Sequence, residues 1–260
     1  WRDIHAVTAV WLSLAMVILI FTGLPWSGVW GDGLNTFATA TNTNSPPSLF
    51  GVKPKSTVPT KDVATEVPWA AELMPVPNSG KAVEGLKGQS LDQIVRIAED
   101  RKLADGYAIT LPKGETGVYT IAATPKKPQN QATMHIDRYS GKVLADLNFQ
   151  DYGITAKIIS IGIALHEGRY FGLMNQIIGL ISCLGIIMVS LSGLILWWRR
   201  RPAGKLGAPT RATSTKLMKG LAFIVIAFGI FFPLVGISLI FIFFIDKVST
   251  RYVPAFKQTA

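Results

Sequence analysis

Three long apolar runs divide this sequence, and a polar stretch containing short alternating segments separates the first run from the second. Residues 6–24 (AVTAVWLSLAMVILIFTGL) carry no formal charge and follow Trp1, Arg2 and Asp3. Residues 171–198 are 28 uncharged positions that end on Trp197 and Trp198, with Arg199, Arg200 and Arg201 immediately after. Residues 217–245 are uncharged except at Lys219. About 20 apolar residues suffice for a helix to cross a bilayer core of about 30 Å, so each run predicts a membrane span. The exit from the first, GLPWSGVWGD, has no small-x-small cleavage pattern and carries two tryptophans, which favours a retained helix over a signal peptide.

The apolar character of the second run starts earlier, at Gly153. A single helix over 154–198 would be roughly 67 Å long at 1.5 Å per residue, about twice what a bilayer requires. Residues 154–165 are therefore expected at the interface or above it, with the crossing starting near 168–172. Pro233 is expected to kink the third span, which membrane helices tolerate when neighbours cover the freed carbonyl.

The polar stretch has two parts. Residues 31–86 are rich in Thr, Pro, Asn and Ser and predict an extended, weakly structured excursion. Ser90 then reads as the N-cap of a helix whose apolar face is Leu91, Ile94, Val95, Ile97, Ala98 and Leu103, closed by Gly106. Four strands follow, at 107–111, 117–123, 131–136 and 142–146, joined by turns rich in Gly, Pro, Asn or Asp. The expected fold is membrane α-helical, with three transmembrane helices and one α+β module made of a helix and an antiparallel four-stranded meander. The boundaries are a first transmembrane helix at 1–30, the excursion at 31–86, the module at 87–152, and an interfacial segment with the second transmembrane helix at 153–201. A basic loop at 202–216, a third helix at 217–246 and a tail at 247–260 complete the chain.

Charge sharpens this picture. The chain of 260 residues has a formal net charge of +10. Seven Lys or Arg and no acid lie between Arg199 and Lys219, whereas residues 31–152 carry 13 basic and 13 acidic side chains. The excess is mostly one juxtamembrane loop, as the positive-inside rule predicts, and it argues against a nucleic-acid partner. The loop is expected in the cytoplasm and the module outside, which in a bacterium is the periplasm. Lys247, Arg251 and Lys257 fall on the outer side in this arrangement, a mild breach. With one cysteine, Cys183, no disulfide or cysteine metal site can form within the chain, and Cys183 reads as a small packing residue.

Several segments resemble the PepSY-associated transmembrane proteins of bacteria. They are WRDIHAV with TGLPWSGVWG, YAITLPKGETGVYTI with IDRYSGKVLADLNFQDYG, GIALHEGRYFG, and SGLILWWRRRPAGKLGAP. The likeness covers nearly the whole chain except 33–86 and matches the C-terminal half of longer members. It implies that Trp1 is an internal position and that an upstream half exists. It also implies an inner-membrane protein, often linked to iron uptake, with some members similar to siderophore reductases holding b-type haem between their helices.

The chain has three histidines, His5, His135 and His166. Neutral imidazole is a standard axial ligand of haem iron, and polar groups at membrane depth are functional candidates. His5 heads the first helix on the cytoplasmic side, and His166 heads the second on the outer side. Small residues help a flat macrocycle approach a helix, and Gly162, Gly168 and Gly172 accompany His166. The competing reading makes Gly168-x-x-x-Gly172 a helix-packing motif and His166 an interfacial hydrogen-bonding residue. His135, in an expected strand, reads as structural or exposed. His5 and His166 should be close to 30 Å apart if both helices cross fully, so two ligands mean two haems. Each needs a second ligand from the missing half or from partner membrane subunits.

Other chemistry is missing from the sequence. No HExxH occurs, no glycine-rich phosphate loop follows a strand, and no nucleophile elbow is present. The leading expectation is a haem-b-dependent transmembrane electron carrier in the reduction of ferric siderophore or iron, embedded in membrane lipid. The alternatives are a non-catalytic accessory or assembly subunit docking through its PepSY module, and a regulator of periplasmic proteolysis.

Overall fold

A computed structural model describes residues 1–44, 56–80, 88–104, 106–201 and 215–252. Most of the expected basic loop, parts of the excursion and the end of the tail lie outside the described residues. The helices are α1 (Arg2–Gly23), α2 (Gly28–Ala40), α3 (Thr60–Val63), α4 (Trp69–Glu72), α5 (Leu91–Asp100), α6 (Ile154–His166), α7 (Leu173–Arg200), α8 (Thr215–Phe231) and α9 (Pro233–Tyr252). The strands are β1 (Ala108–Thr110), β2 (Tyr119–Ala123), β3 (Ala132–Ile136) and β4 (Val143–Asn148). The chain divides into two compact units, residues 16–181 and residues 1–15 with 182–260.

The unit of residues 16–181 is built on an antiparallel sheet in the order β1-β2-β3-β4. Each expected strand is present, within three residues at either end. One face is closed by α5, where Ile94 and Ala98 pack on Tyr119, Ile121, Met134 and Ile136. The helix starts as its sequence suggests. Ser90 and Gln93 form a reciprocal capping box, which satisfies two amide donors that helix geometry leaves open. Its end differs from expectation. Arg101 is the C-cap and Lys102, at φ 53°, takes the left-handed position, four residues before Gly106.

The other sheet face is also covered, and here the structure departs from the sequence reading. Trp69, Ala70 and Ala71 of α4 form one core with Leu147, Phe149, Tyr152 and, from α6, Ala156 and Ile159. The segment expected to be an extended excursion thus contains most of α2 and all of α3 and α4. Its composition hid this because α3 and α4 are four residues each and gain their stability from burial, not from helix propensity. With both faces covered, every residue of β2 and β3 is buried.

His135 sits on this second face, 1% exposed, with Nδ1 3.0 Å from Thr120 Oγ1 and Nε2 3.4 Å from Thr60 Oγ1. Burial pulls its pKa down to about 4. The DRYSG turn is organised by Asp137. Its Oδ1 accepts from Tyr139 N, Ser140 N and Ser140 Oγ, and its Oδ2 accepts from Gly80 N at 2.7 Å. Burial alone would raise the Asp137 carboxyl, but these donors outweigh it and hold the pKa below the usual value.

The other unit contains the start of α1, the lower part of α7, and α8 and α9. On α7 the buried residues are Ser182, Gly185 and Ser192, all small and at helical spacing. Leu12 of α1 fills the space beside Gly185, where an added Cβ would fall 2.1 Å from Leu12 Cδ1. His5 lies beside Gly193 in the same way. The order of these pairs along the chain makes α1 and α7 antiparallel where they meet. Small residues of this kind let membrane helices approach closely.

The large apolar side chains point elsewhere: Trp11 is 81% exposed, and Val10, Leu14, Leu184, Leu191 and Leu194 are exposed. Among the described residues, two helical stretches are long and apolar enough to cross a membrane, Arg2–Trp26 and Leu173–Arg200, and few of their residues are buried. Outward-facing apolar surface is what a lipid environment requires. At the foot of α7, Arg201 lies over the Trp198 ring at 3.6 Å.

The third apolar run is broken at the expected proline, with α8 ending at Phe231 and α9 starting at Pro233. Two glycines make the bend sharp: a Cβ on Gly236 would lie 2.4 Å from the Gly229 carbonyl oxygen. Seven residues along a straight helix would separate them by about 10 Å.

Candidate functional site

The long apolar stretch after Gly153 is two helices, and the junction between them fixes His166. Helix α6 ends at His166 with Glu167 as its C-cap. Gly168, at φ +73°, occupies the left-handed position that follows. Arg169 N donates to Ala164 O at 2.9 Å and Gly168 N to Leu165 O at 3.2 Å, the paired bonds of a Schellman motif. Asn175 Nδ2 adds a third bond, to Leu165 O at 3.0 Å. Gly172, at φ +61°, precedes α7. Both glycines are thus turn residues outside the helices, and the packing motif expected from their spacing is not formed. The requirement at these two positions is positive φ, which side chains oppose.

His166 is exposed at the end of α6, and its ring is held from α1. Nδ1 is 3.0 Å from Thr22 Oγ1. The Thr22 hydroxyl donates its own proton to Ile18 O at 2.7 Å. With that proton committed, Thr22 Oγ1 is the acceptor and His166 Nδ1–H the donor, so the neutral ring keeps its lone pair on Nε2. Gly23 gives the ring room, since a Cβ there would lie 3.1 Å from His166 Cε1. Trp26 packs against the imidazole with ring centres 5.3 Å apart. Gly162, one helical turn before His166, faces Thr22 Cγ2 at 3.7 Å from a would-be Cβ. It therefore serves the contact between α6 and α1.

His5, in the first turn of α1, repeats this arrangement in its own unit. Its Nδ1 is 3.0 Å from Val189 O and 3.0 Å from Ser192 Oγ. A carbonyl can only accept, so Nδ1 carries the proton and the lone pair of the neutral ring is again on Nε2. Ser192 Oγ itself donates to Val189 O at 3.0 Å, which closes a small network. Gly193 lies beneath the ring, with a would-be Cβ 3.4 Å from Cε1. Each histidine thus rests on a glycine of a facing helix, with Nδ1 hydrogen-bonded to that helix and, in the neutral ring, the lone pair on Nε2.

This is the state of a metal-ligating histidine, whose second nitrogen normally donates to a carbonyl or a similar group. It is equally the state of a histidine that joins two helices by a hydrogen bond. Among the described residues no three or more His, Cys, Asp or Glu side chains cluster closely enough to hold a bare metal ion. A metal held at either histidine would have to bring its other ligands with it. The partners Thr22, Gly23, Ser192 and Gly193 lie far in sequence from the ring each one meets, and Trp26 reads from sequence as an interfacial tryptophan. The facing-helix glycines belong to the segments FTGLPW and SLSGL, visible as small residues but not assignable to either ring without the helix pairing.

A family model described as the PepSY-associated TM region matches residues 1–200. No curated protein matches the chain.

Proposed function

This chain belongs to the PepSY-associated transmembrane family, and on that footing we propose that it is a haem-b-dependent electron carrier of the bacterial inner membrane, serving the reduction of ferric siderophore or iron. It is a membrane protein with an α+β module; the reading adds a third crossing at 217–246 and a periplasmic place for the module. Support for the orientation comes from the seven basic residues between Arg199 and Lys219, which the positive-inside rule assigns to the cytoplasm. The boundaries follow the sequence: first crossing within 1–30, module at 87–152, second crossing within 153–201, basic loop at 202–216 and tail at 247–260.

One observation carries the functional reading: His5 and His166 each have Nδ1 held by a facing helix, 3.0 Å from Val189 O and from Thr22 Oγ1, which leaves Nε2 as the nitrogen turned to a ligand role. His5 and His166 would each supply one axial imidazole to haem iron, with the second ligand from another part of the protein or a partner subunit. Haem bound there supplies one-electron chemistry, its potential set by axial ligands and their hydrogen bonds. Thr22, Val189 and Ser192 would fix ring orientation and ligand basicity. Gly23 and Gly193 admit the rings, while Gly162 serves the contact of α6 with α1 and Gly168 and Gly172 form the turn that follows His166.

The same hydrogen bonds favour one rival, an accessory subunit in which both histidines only join helices. Reduced-minus-oxidised spectra of the purified protein separate the two. The carrier reading expects b-type bands, weakened in His166→Ala and in His5→Ala and lost in the double variant. A wild-type protein without such bands would sink it.

A further inference from the structure

We propose that the cavity between α4, the β2–β3 end of the sheet and α6 is a binding site for an organic cation bearing an ammonium or guanidinium group. It lies wholly within the unit of residues 16–181 and measures about 400 Å³, a volume usual for small-molecule sites. The inference does not rest on the haem reading, since it uses no histidine nitrogen, although Trp26, which packs against His166, also lines this cavity.

Charge defines the ligand's sign. Glu66, Glu72 and Glu167 line the cavity, with Arg169 as the basic residue among the lining groups. Arg169 is already committed: its Nε pairs with Glu167 and its Nη1 donates to Pro125 O at 2.8 Å. Glu66 and Glu72 are left to set a negative field. Burial raises the Glu72 carboxyl against the opposing field of Lys61, so a bound cation would relieve a desolvated acid.

Two further groups specify hydrogen bonding. Gln131 and Ser160 belong to the wall of the same cavity, and Gln131 Oε1 and Ser160 Oγ have no hydrogen-bond partner. Both side chains are at least nine-tenths buried, with Gln131 at 4% and Ser160 at 1% exposure. Leaving such groups unsatisfied is costly, and an amide oxygen can be satisfied only by a donor. The ligand must therefore bring N–H or O–H groups as well as positive charge.

The walls select an organic cation over a metal ion. The indoles of Trp26 and Trp69 line the cavity, and indoles attract ammonium and guanidinium groups through their ring faces. The carboxylates are too dispersed to chelate, since no metal-holding group of three exists among the described residues. The backbone is consistent with a built site: Glu66 is held at φ 56°, in the left-handed region that L side chains rarely adopt. Strain of that kind persists where the surrounding structure imposes it, and it clusters at ligand-binding positions.

The shared chemistry could come from a free polyamine or from a basic side chain of a polypeptide. Isothermal titration of the full chain in non-ionic detergent would use spermidine, tri-lysine and, as an uncharged control, octanediol. Saturable binding of spermidine or tri-lysine without octanediol binding is the expected result. Spermidine alone would assign a free amine, and tri-lysine alone a polypeptide side chain. Glu72→Gln and Gln131→Leu should each weaken binding by about tenfold, the loss of one charge-assisted or buried hydrogen bond. Glu66→Gln, at an exposed position, supplies a variant that keeps the fold if the others do not. No saturable binding of either cation, equal binding of octanediol, or unchanged affinity in folded Glu72→Gln and Glu66→Gln would overturn the proposal.

Discussion

His166 donates its Nδ1 proton to Thr22 Oγ1 across 3.0 Å, and the threonine can only accept because its own proton goes to Ile18 O. One hydroxyl on α1 thus decides which nitrogen of a histidine on α6 holds the lone pair. Val189 O does the same for His5 from α7. Both histidines are set by residues far away in sequence.

Thr22→Val keeps the shape of the side chain and removes the acceptor. Under the haem reading, loss of an outer-shell partner of this type weakens retention of the group by about 10- to 100-fold. Haem content per protein and the midpoint potential of the remaining bands would show it. A Thr22→Ser variant, which restores the hydroxyl, should recover both.

Gly23→Ala and Gly193→Ala place a methyl 3.1 Å and 3.4 Å from the Cε1 atoms of His166 and His5. The first contact is the tighter, so Gly23→Ala should shift its ring more and disturb the haem spectrum more. Equal spectra in both variants would contradict the seating of the rings described above.

His135 makes the module acid-sensitive. Its folded pKa, about 4, lies below the ordinary 6.5, so between these values the unfolded chain binds more protons than the folded one. The stabilising effect of the buried neutral ring is complete above pH 6.5 and falls away as the pH drops towards 4, by as much as about 3 kcal/mol. Thermal unfolding followed from pH 7.5 to 4 should show this decline, and His135→Gln should flatten it.

Asp137→Ala removes the acceptor of four hydrogen bonds and leaves the amides of Gly80, Tyr139 and Ser140 without it. A destabilisation of about 3 kcal/mol is expected. Because the folded pKa is depressed, the carboxylate's contribution is present above its ordinary pKa and is lost as the pH falls through the folded value. Denaturant titration at neutral pH and in strong acid would report both effects.

Tyr152→Phe should be neutral or stabilising by up to about 1 kcal/mol. The Tyr152 hydroxyl is buried without a partner, beside Phe149 in the core shared by α4 and α6. Deleting an unsatisfied polar group removes a desolvation cost without opening a cavity of note. A loss of stability in chemical denaturation would reveal a partner that the folded structure does not show.

Sequence alone determined the elements whose physics is local. Apolar runs of the necessary length mark α1 and α7, the Ser90–Gln93 spacing marks the start of α5, and alternation with turn residues marks all four strands. The break between α6 and α7 was legible as a length argument, since one helix would be too long for a bilayer. Tertiary structure alone decided the rest. Helix α4 forms on a composition that reads as extended, because Trp69, Ala70 and Ala71 are stabilised by a core contributed from 147–159. Gly168 and Gly172 turned out to serve positive φ, and Gly23 and Gly193 took the role of seating imidazoles. A residue's own neighbours in sequence report its helix face, whereas proton position and close approach depend on which helix comes to face it. That pairing is set by the burial of small residues between helices, and no single segment encodes it.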